Sequence, residues 1–428
     1  MYSTGMELDE KISILAAAAK YDASCASSGS KGHHHSAGKT GMGSSACAGI
    51  CHSWTGDGRC VSLLKLLFSN ICKYDCVYCA NRVSADIKRA SFTKEELVKL
   101  TMEFYKRNYI EGLFLSSGIF ADPDIVMEQL IGTAKKLRLE AGYGGYIHLK
   151  IIPGAGDNLI REAGYWADRL SANIELPTEK SLKILAPQKS GKEILGAMDY
   201  ISQSGLEIKE ESRRIKKAPK FAPAGQSTQL IVGASSEDDR QIISLSGALY
   251  RKYELKRVYY SAFIPVGING NPGIYDPKLP YIKGPPLLRE HRLYQADWLM
   301  RFYNFAPDEI LDPSSPYLDQ DLDPKTVWAL NHLNFFPVEV NKASYEELLR
   351  VPGVGVLSAK RIIRQRRIRL LSFDILKSLG VVLKRARYFI TASGTFMDKT
   401  DDPVKIKHKL INDDQSTQLP LFDFKDCI

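Results

Sequence analysis

The sequence predicts an α/β protein in which six strand–helix units form a partial (β/α)6 barrel or an open sheet, followed by a small all-helical domain. Two observations point there. From about residue 61 to 310, short apolar runs alternate with helical stretches, the pattern that βαβ units of a parallel sheet leave in a sequence. After the Pro-rich segment 312–324 the strand signal stops, and short helices joined by glycine turns run on through residue 395. A length of 428 residues fits two or three folded units at roughly 150 residues each. A hydrophobic fraction of 44% and a charged fraction of 25% argue against wholesale disorder or a fibrous repeat.

Residues 1–60 read as an N-terminal extension rich in Cys, Gly and Ser. It opens with a helix over 7–20 and continues through a stretch holding Cys25, Cys47 and the histidines His33 to His35, too polar to bury a core of its own. The three histidines are metal-binding candidates or simply solvated. Strands are expected over 63–69, 113–117, 146–152, 170–176, 228–234 and 257–264. The helix after the first of these opens with Thr93 and Glu96, three residues apart, as a capping box does. Residues 325–395 form the helical domain, and 396–428 read as a flexible polar tail with one apolar island. No run approaches the roughly 20 apolar residues of a membrane span, and none reads as a signal peptide. A cytoplasmic protein with no membrane partner is therefore expected.

Lysine and arginine exceed aspartate and glutamate to give a net charge of +9, a balance that suits a polyanionic partner. Of the eight cysteines, Cys25, Cys47, Cys51, Cys60, Cys72, Cys76 and Cys79 crowd the first fifth of the chain, and Cys427 stands apart. In a reducing compartment such crowding favours metal over disulfides.

Cys72, Cys76 and Cys79 follow the first predicted strand in the string NICKYDCVYCANR. Three thiolates on one loop hold three irons of a 4Fe-4S cluster and leave the fourth iron open for chemistry. A zinc site or plain buried thiols are the alternatives, although a zinc ribbon wants a second C-x2-C pair that is missing downstream. The C-x3-C-x2-C spacing, with Tyr78 before the third cysteine, resembles the signature of the radical S-adenosylmethionine (SAM) enzymes. The resemblance implies a 4Fe-4S cluster whose open iron is chelated by SAM. It also implies a reductive cleavage that yields a 5′-deoxyadenosyl radical, and a reducing flavodoxin or ferredoxin as electron-donating partner. Ser116, Ser117 and Gly118 stand where that family holds the SAM amino group with a Gly-Gly-Glu-type motif. Ile119 replaces the glutamate, so only backbone contacts carry over. Asn173 and Glu175 are placed for the SAM ribose or amino group, with an ion-pairing role for Glu175 as the alternative. Gln229 through Gly233 resembles the segment on which adenine packs. Cys25, Cys47, Cys51 and Cys60 are candidates for a second cluster, for a hydrogen-atom donor, or for structural thiols.

Residues 348–363, LLRVPGVGVLSAKRII, resemble a helix-hairpin-helix motif, in which Gly353 and Gly355 let the backbone turn against a DNA phosphate. Lys360, Arg361, Arg364, Arg366 and Arg367 follow as phosphate-neutralising charges. A weaker second copy lies at 376–390 with Gly380 as its turn glycine. Protein docking or internal packing is the alternative role. In the tail, Gln418, Leu419, Leu421 and Phe422 resemble the peptide by which bacterial polymerases and repair proteins dock on the replication sliding clamp. Strings such as GQSTQLIVGAS and PPLLREHRLYQADW extend the likeness over nearly the whole chain, which resembles a bacterial family of DNA modification or repair radical SAM proteins, distantly like spore photoproduct lyase. The resemblance implies a radical enzyme acting on a base or sugar in DNA. The alternatives are a radical SAM enzyme modifying tRNA or rRNA, and a non-catalytic DNA-binding iron–sulfur protein.

Overall fold

A computed structural model describes residues 6–19, 49–54, 60–215, 219–265, 276–282 and 284–415. The chain divides into one unit of Met1–Glu237 with Ala248–Leu287 and a second of Asp238–Gly247 with Leu288–Ile428. No helix among the described residues is long and apolar enough to cross a membrane.

The first unit opens with α1 (Leu8–Ala19), β1 (Ile50–Trp54) and β2 (Cys60–Leu67). It then alternates through α2 (Lys94–Lys106), β3 (Gly112–Ser116), α3 (Pro123–Leu139), β4 (Tyr146–Lys150), α4 (Asp157–Trp166), β5 (Arg169–Ser171), α5 (Glu179–Leu185) and α6 (Gly191–Arg214). β6 (Gln226–Val232), α7 (Asp239–Tyr253), through which the division passes, and β7 (Arg257–Ala262) complete the series. The seven strands form one curled sheet, a partial barrel in the order β1 to β7. The six expected parallel strands are all present, and the sheet has one more. β1 pairs antiparallel with β2 over Ile50 to Trp54, inside the stretch expected to be an unstructured extension.

Local chemistry sets the helix starts. Thr93 and Glu96 exchange both bonds of a capping box at α2, Asp122 caps α3 with Pro123 in its first turn, and Ser190 caps α6. Leu64, Leu113 and Ile147 share one face of the sheet by register and are fully buried. That face meets the helices. The opposite face carries Lys65, Phe114 and His148 in one row, all buried, with Lys65 Nζ 5.7 Å from the Phe114 ring and Phe114 and His148 in edge contact at 4.4 Å. A polar interior layer of this kind is what makes the strands alternate instead of reading as unbroken apolar runs.

The second unit contains α8 (Leu287–Phe302), α9 (Pro307–Ile310), α10 (Pro324–Asn331), β8 (Val338–Glu339), α11 (Tyr345–Arg350) and α12 (Val356–Gln365). α13 (Phe373–Ser378), α14 (Leu383–Ala386), β9 (Ile390–Ala392), β10 (Thr395–Phe396) and α15 (Pro403–Gln415) follow. Two expectations are corrected here. The region is helical but not all-helical, because β8, β9 and β10 form a three-stranded sheet. The stretch read as a flexible tail instead folds in part as α15, anchored by buried Ile406 and Leu410 at i and i+4.

α11 with α12, and α13 with α14, are two helix pairs with matching interiors. Leu349, Val354 and Ala359 of the first correspond in order to Leu376, Val381 and Ala386 of the second, and all six are buried. The turns brace each other. Val382 N donates to Gly353 O at 2.9 Å, and Ser358 Oγ donates to Gly380 O at 2.9 Å.

Candidate active site

One cavity lies at the carboxyl ends of the parallel strands, the edge at which open α/β sheets bind ligands. Leu67, Ser116, Lys150, Gln229, Ile231 and Ser261 line it, all on the face that carries Lys65, Phe114 and His148. It is open to solvent at one side.

Cys72, Cys76 and Cys79 share the wall of this cavity, on the loop after β2. None is in a disulfide; Cys76 is buried and the other two are half-buried. The loop is fixed by its backbone. Cys79 N donates to Cys76 O at 2.9 Å, Lys73 N to Ile119 O at 2.8 Å and Val77 N to Leu185 O at 2.8 Å. Gly118 N donates to Ser69 O at 2.7 Å, and a Cβ at Gly118 would stand 2.4 Å from Ile71 O. Only glycine fits there.

Burial, and after it Cys76, pushes the Cys79 thiol up to about 12. Burial also raises Cys76, with the Lys189 ammonium opposing. Such thiols keep their protons unless a cation replaces them, so three soft donors in one wall fit iron coordination. Tyr74 N and Asn81 N each donate to a cysteine sulfur, Cys72 and Cys79 in turn, at 3.4 Å. Bonds of this kind tune a cluster. Among the described residues no three His, Cys, Asp or Glu side chains gather around a single ion.

Across from the cysteines, Lys189 Nζ pairs with Glu175 Oε1 at 2.7 Å, with both side chains nearly buried, and donates to Tyr78 Oη at 3.4 Å. Burial disfavours the ammonium, but Glu175, then Tyr78 and Cys76, outweigh it and hold its pKa well above the usual value. Glu175 has φ of +65° and its backbone bridges to β6, giving to Gln229 O at 3.0 Å and accepting from Ile231 N at 2.7 Å. Asn173 Nδ2 donates to Gln229 Oε1 at 3.2 Å.

The cavity thus gathers Tyr78, Ser116, Ser117, Gly118, Asn173, Glu175 and Gln229 with the three cysteines. The strand expected over 170–176 ends at Ser171, so Asn173 and Glu175 lie on the segment beyond it. Gly233 is not on the wall. Its φ is +88° and a Cβ there would stand 2.8 Å from Pro286 Cγ, which gives it a turn role instead. Lys189 and Lys150 also line the cavity, though neither belongs to a sequence motif. Lys189 sits in a loop with no motif, whereas the polar alternation of His148 and Lys150 in an otherwise apolar strand was a usable signal. Cys51 is buried on β1 and Cys60 begins β2, while Cys25, Cys47 and His33 to His35 lie outside the described residues.

In the second unit Gly353 and Gly380 turn the chain with φ of +81° and +89°, and a Cβ at Gly353 would stand 2.5 Å from Val382 O. Gly355 caps α12. Lys360, Arg361, Arg364 and Arg367 are exposed. Arg366, expected beside them, turns inward and donates to Val340 O at 3.1 Å and Ala343 O at 2.5 Å, so its charge is occupied within the fold. Gln418, Leu419, Leu421 and Phe422 lie outside the described residues.

Residues 66–211 match the family model of the Radical SAM superfamily. That stretch runs from β2 through the cysteine loop to α6. No curated protein matches the chain. Among solved structures, the FeFe-hydrogenase maturase HydG from Carboxydothermus hydrogenoformans aligns at 14% identity and a TM-score of 0.42, covering 55% of this chain and 50% of its own. Methylornithine synthase (PylB) aligns at 16% and 0.41, covering 55% and 60%, and a second HydG structure at 14% and 0.40, covering 83% and 77%. This chain spans half the length of the first of these. The match gives residues 66–211 as a Radical SAM superfamily segment, and with that family come a 4Fe-4S cluster and SAM as cofactors.

Proposed function

We propose that this radical SAM enzyme acts on DNA, repairing or modifying a base or sugar. The observation that carries the reading is the mutually braced pair of glycine turns in the second unit, which we read as tandem helix-hairpin-helix motifs. Gly353 and Gly380 let the backbone approach closely, and exposed Lys360, Arg361, Arg364 and Arg367 supply charge for phosphates without reading sequence. The net charge of +9 works in the same direction.

In the barrel unit Cys72, Cys76 and Cys79 would hold the irons, and a cluster with SAM bound would supply radical chemistry there. The chain's own residues prepare the place for it. The Lys189–Glu175 pair keeps one fixed cation and one fixed anion beside the thiols. The Asn173–Gln229 hydrogen bond orients two amide groups toward the cavity. The open side of the cavity suits a large substrate, and a base inside a duplex would have to be flipped out at a cost of about a few kcal/mol, least at a lesion.

The test is 5′-deoxyadenosine formation from SAM by the anaerobically reconstituted chain under reductant. It is run with undamaged duplex, UV-irradiated duplex and tRNA, beside Cys76→Ala. DNA-stimulated release that Cys76→Ala abolishes is expected. Stimulation by tRNA alone would move the substrate to RNA, and stimulation by neither would overturn the nucleic-acid reading.

A further inference from the structure

We propose that Arg89 is a positioning residue for the iron–sulfur centre, closing the cysteine loop with its guanidinium and raising the cluster's reduction potential with its charge. Arg89 Nη1 donates to Asn70 O at 2.7 Å and Asn81 O at 2.9 Å, and Nη2 donates to Arg82 O at 2.6 Å and Ala85 O at 2.9 Å. Asn70 lies just before Cys72, and Asn81 and Arg82 just after Cys79. One planar cation therefore ties together the two ends of the segment that carries all three thiols.

The surroundings hold Arg89 itself in place. Asn70 Nδ2 donates to Lys88 O at 2.9 Å, Asn70 Oδ1 accepts from Ala90 N at 2.8 Å, and Ser69 Oγ donates to Ala90 O at 3.3 Å. The residues on both sides of Arg89 are thus pinned to the residues that precede Cys72. Four carbonyl oxygens aimed at one point repel each other, and a guanidinium has the planar fork of donors to satisfy them. Lysine keeps the charge but lacks that fork.

The charge matters as well as the bonds. Arg89 is bonded to Asn70 O and Asn81 O, each two residues from a cysteine, Cys72 and Cys79 in turn, which sets its charge beside the thiol-bearing segment. A cluster takes on negative charge when reduced, so a fixed cation beside its ligands favours the reduced form. The inference concerns the cluster alone, so it stands or falls separately from the DNA reading.

The test uses the full chain, reconstituted anaerobically, as the parent, Arg89→Gln and Arg89→Lys. Readouts are the EPR-monitored midpoint potential, the iron content and the cluster's half-life against a chelator. Arg89→Gln is expected to shift the midpoint to more negative potential and to shorten the half-life several-fold. Arg89→Lys is expected to keep most of the potential yet lose the cluster faster than the parent. An unchanged midpoint in a fully loaded Arg89→Gln would overturn the electrostatic role. If Arg89→Gln fails to load, Arg89→Lys decides: a parental half-life in that variant would overturn the clasp.

Discussion

Glu175 concentrates several constraints in one residue. Its backbone sits at a φ of +65°, uncommon for a side chain of its size, and its carboxylate holds the nearly buried Lys189 ammonium at 2.7 Å. Removing one member of such a pair leaves the other charge stranded, a loss of about 3–5 kcal/mol. Glu175→Gln is therefore expected to lower stability by that order in a denaturant titration. At Gly118 the constraint is space, since a Cβ 2.4 Å from Ile71 O pushes directly on the residue before Cys72. Gly118→Ala should keep the fold by circular dichroism but reduce iron incorporation after reconstitution. The cysteine spacing and Tyr78 were readable because ligand geometry imposes a fixed local interval. Lys189 was not, because α5 separates it in the chain from its partner Glu175 and the pair leaves no periodic trace.

The helix pairs of the second unit invite two tests at the level of the element. Gly353→Ala meets both a φ of +81° and an approach of 2.5 Å to Val382 O, so a destabilisation of about 1–3 kcal/mol is expected, with weakened duplex binding. Lys325, on α10, is buried and donates to Val354 O of the same turn at 2.6 Å. Burial, opposed by Asp323, lowers its pKa from 10.5 to about 7. The unfolded chain then binds more protons than the folded one between those values, so stability rises with pH across that window and the full penalty applies below it. The melting temperature of Lys325→Met relative to the parent should accordingly be higher at about pH 6 than at about pH 9. The elements the sequence did not reveal are short or weakly patterned. Val338–Glu339 and Thr395–Phe396 span two residues each, too few to show a strand's alternation, and among its described side chains α15 has Ile406 and Leu410 as its buried stripe. β1 was hidden by its polar residues and its place beside the Gly- and Ser-rich stretch.

For the whole molecule the net charge of +9 makes ionic strength the most direct probe of the proposed nucleic-acid interaction. Replacing Lys360 and Arg361 with alanine should weaken duplex binding evenly across sequences and flatten the slope of log affinity against log salt by about one for each phosphate no longer neutralised. The same change at Arg366 should act through stability instead, because that side chain is bonded to Val340 and Ala343. The broad architecture, a parallel barrel followed by a helical region, was legible because alternation and glycine turns are local signals repeated many times. The mutual bracing of the two turns was not, because it joins residues on different helix pairs. Each turn carbonyl is satisfied by the other pair, Gly353 O by Val382 N and Gly380 O by Ser358 Oγ. Neither pair is therefore a portable module. A truncation between them would leave the carbonyls of both turns without these partners, so a fragment ending there should melt below the full chain.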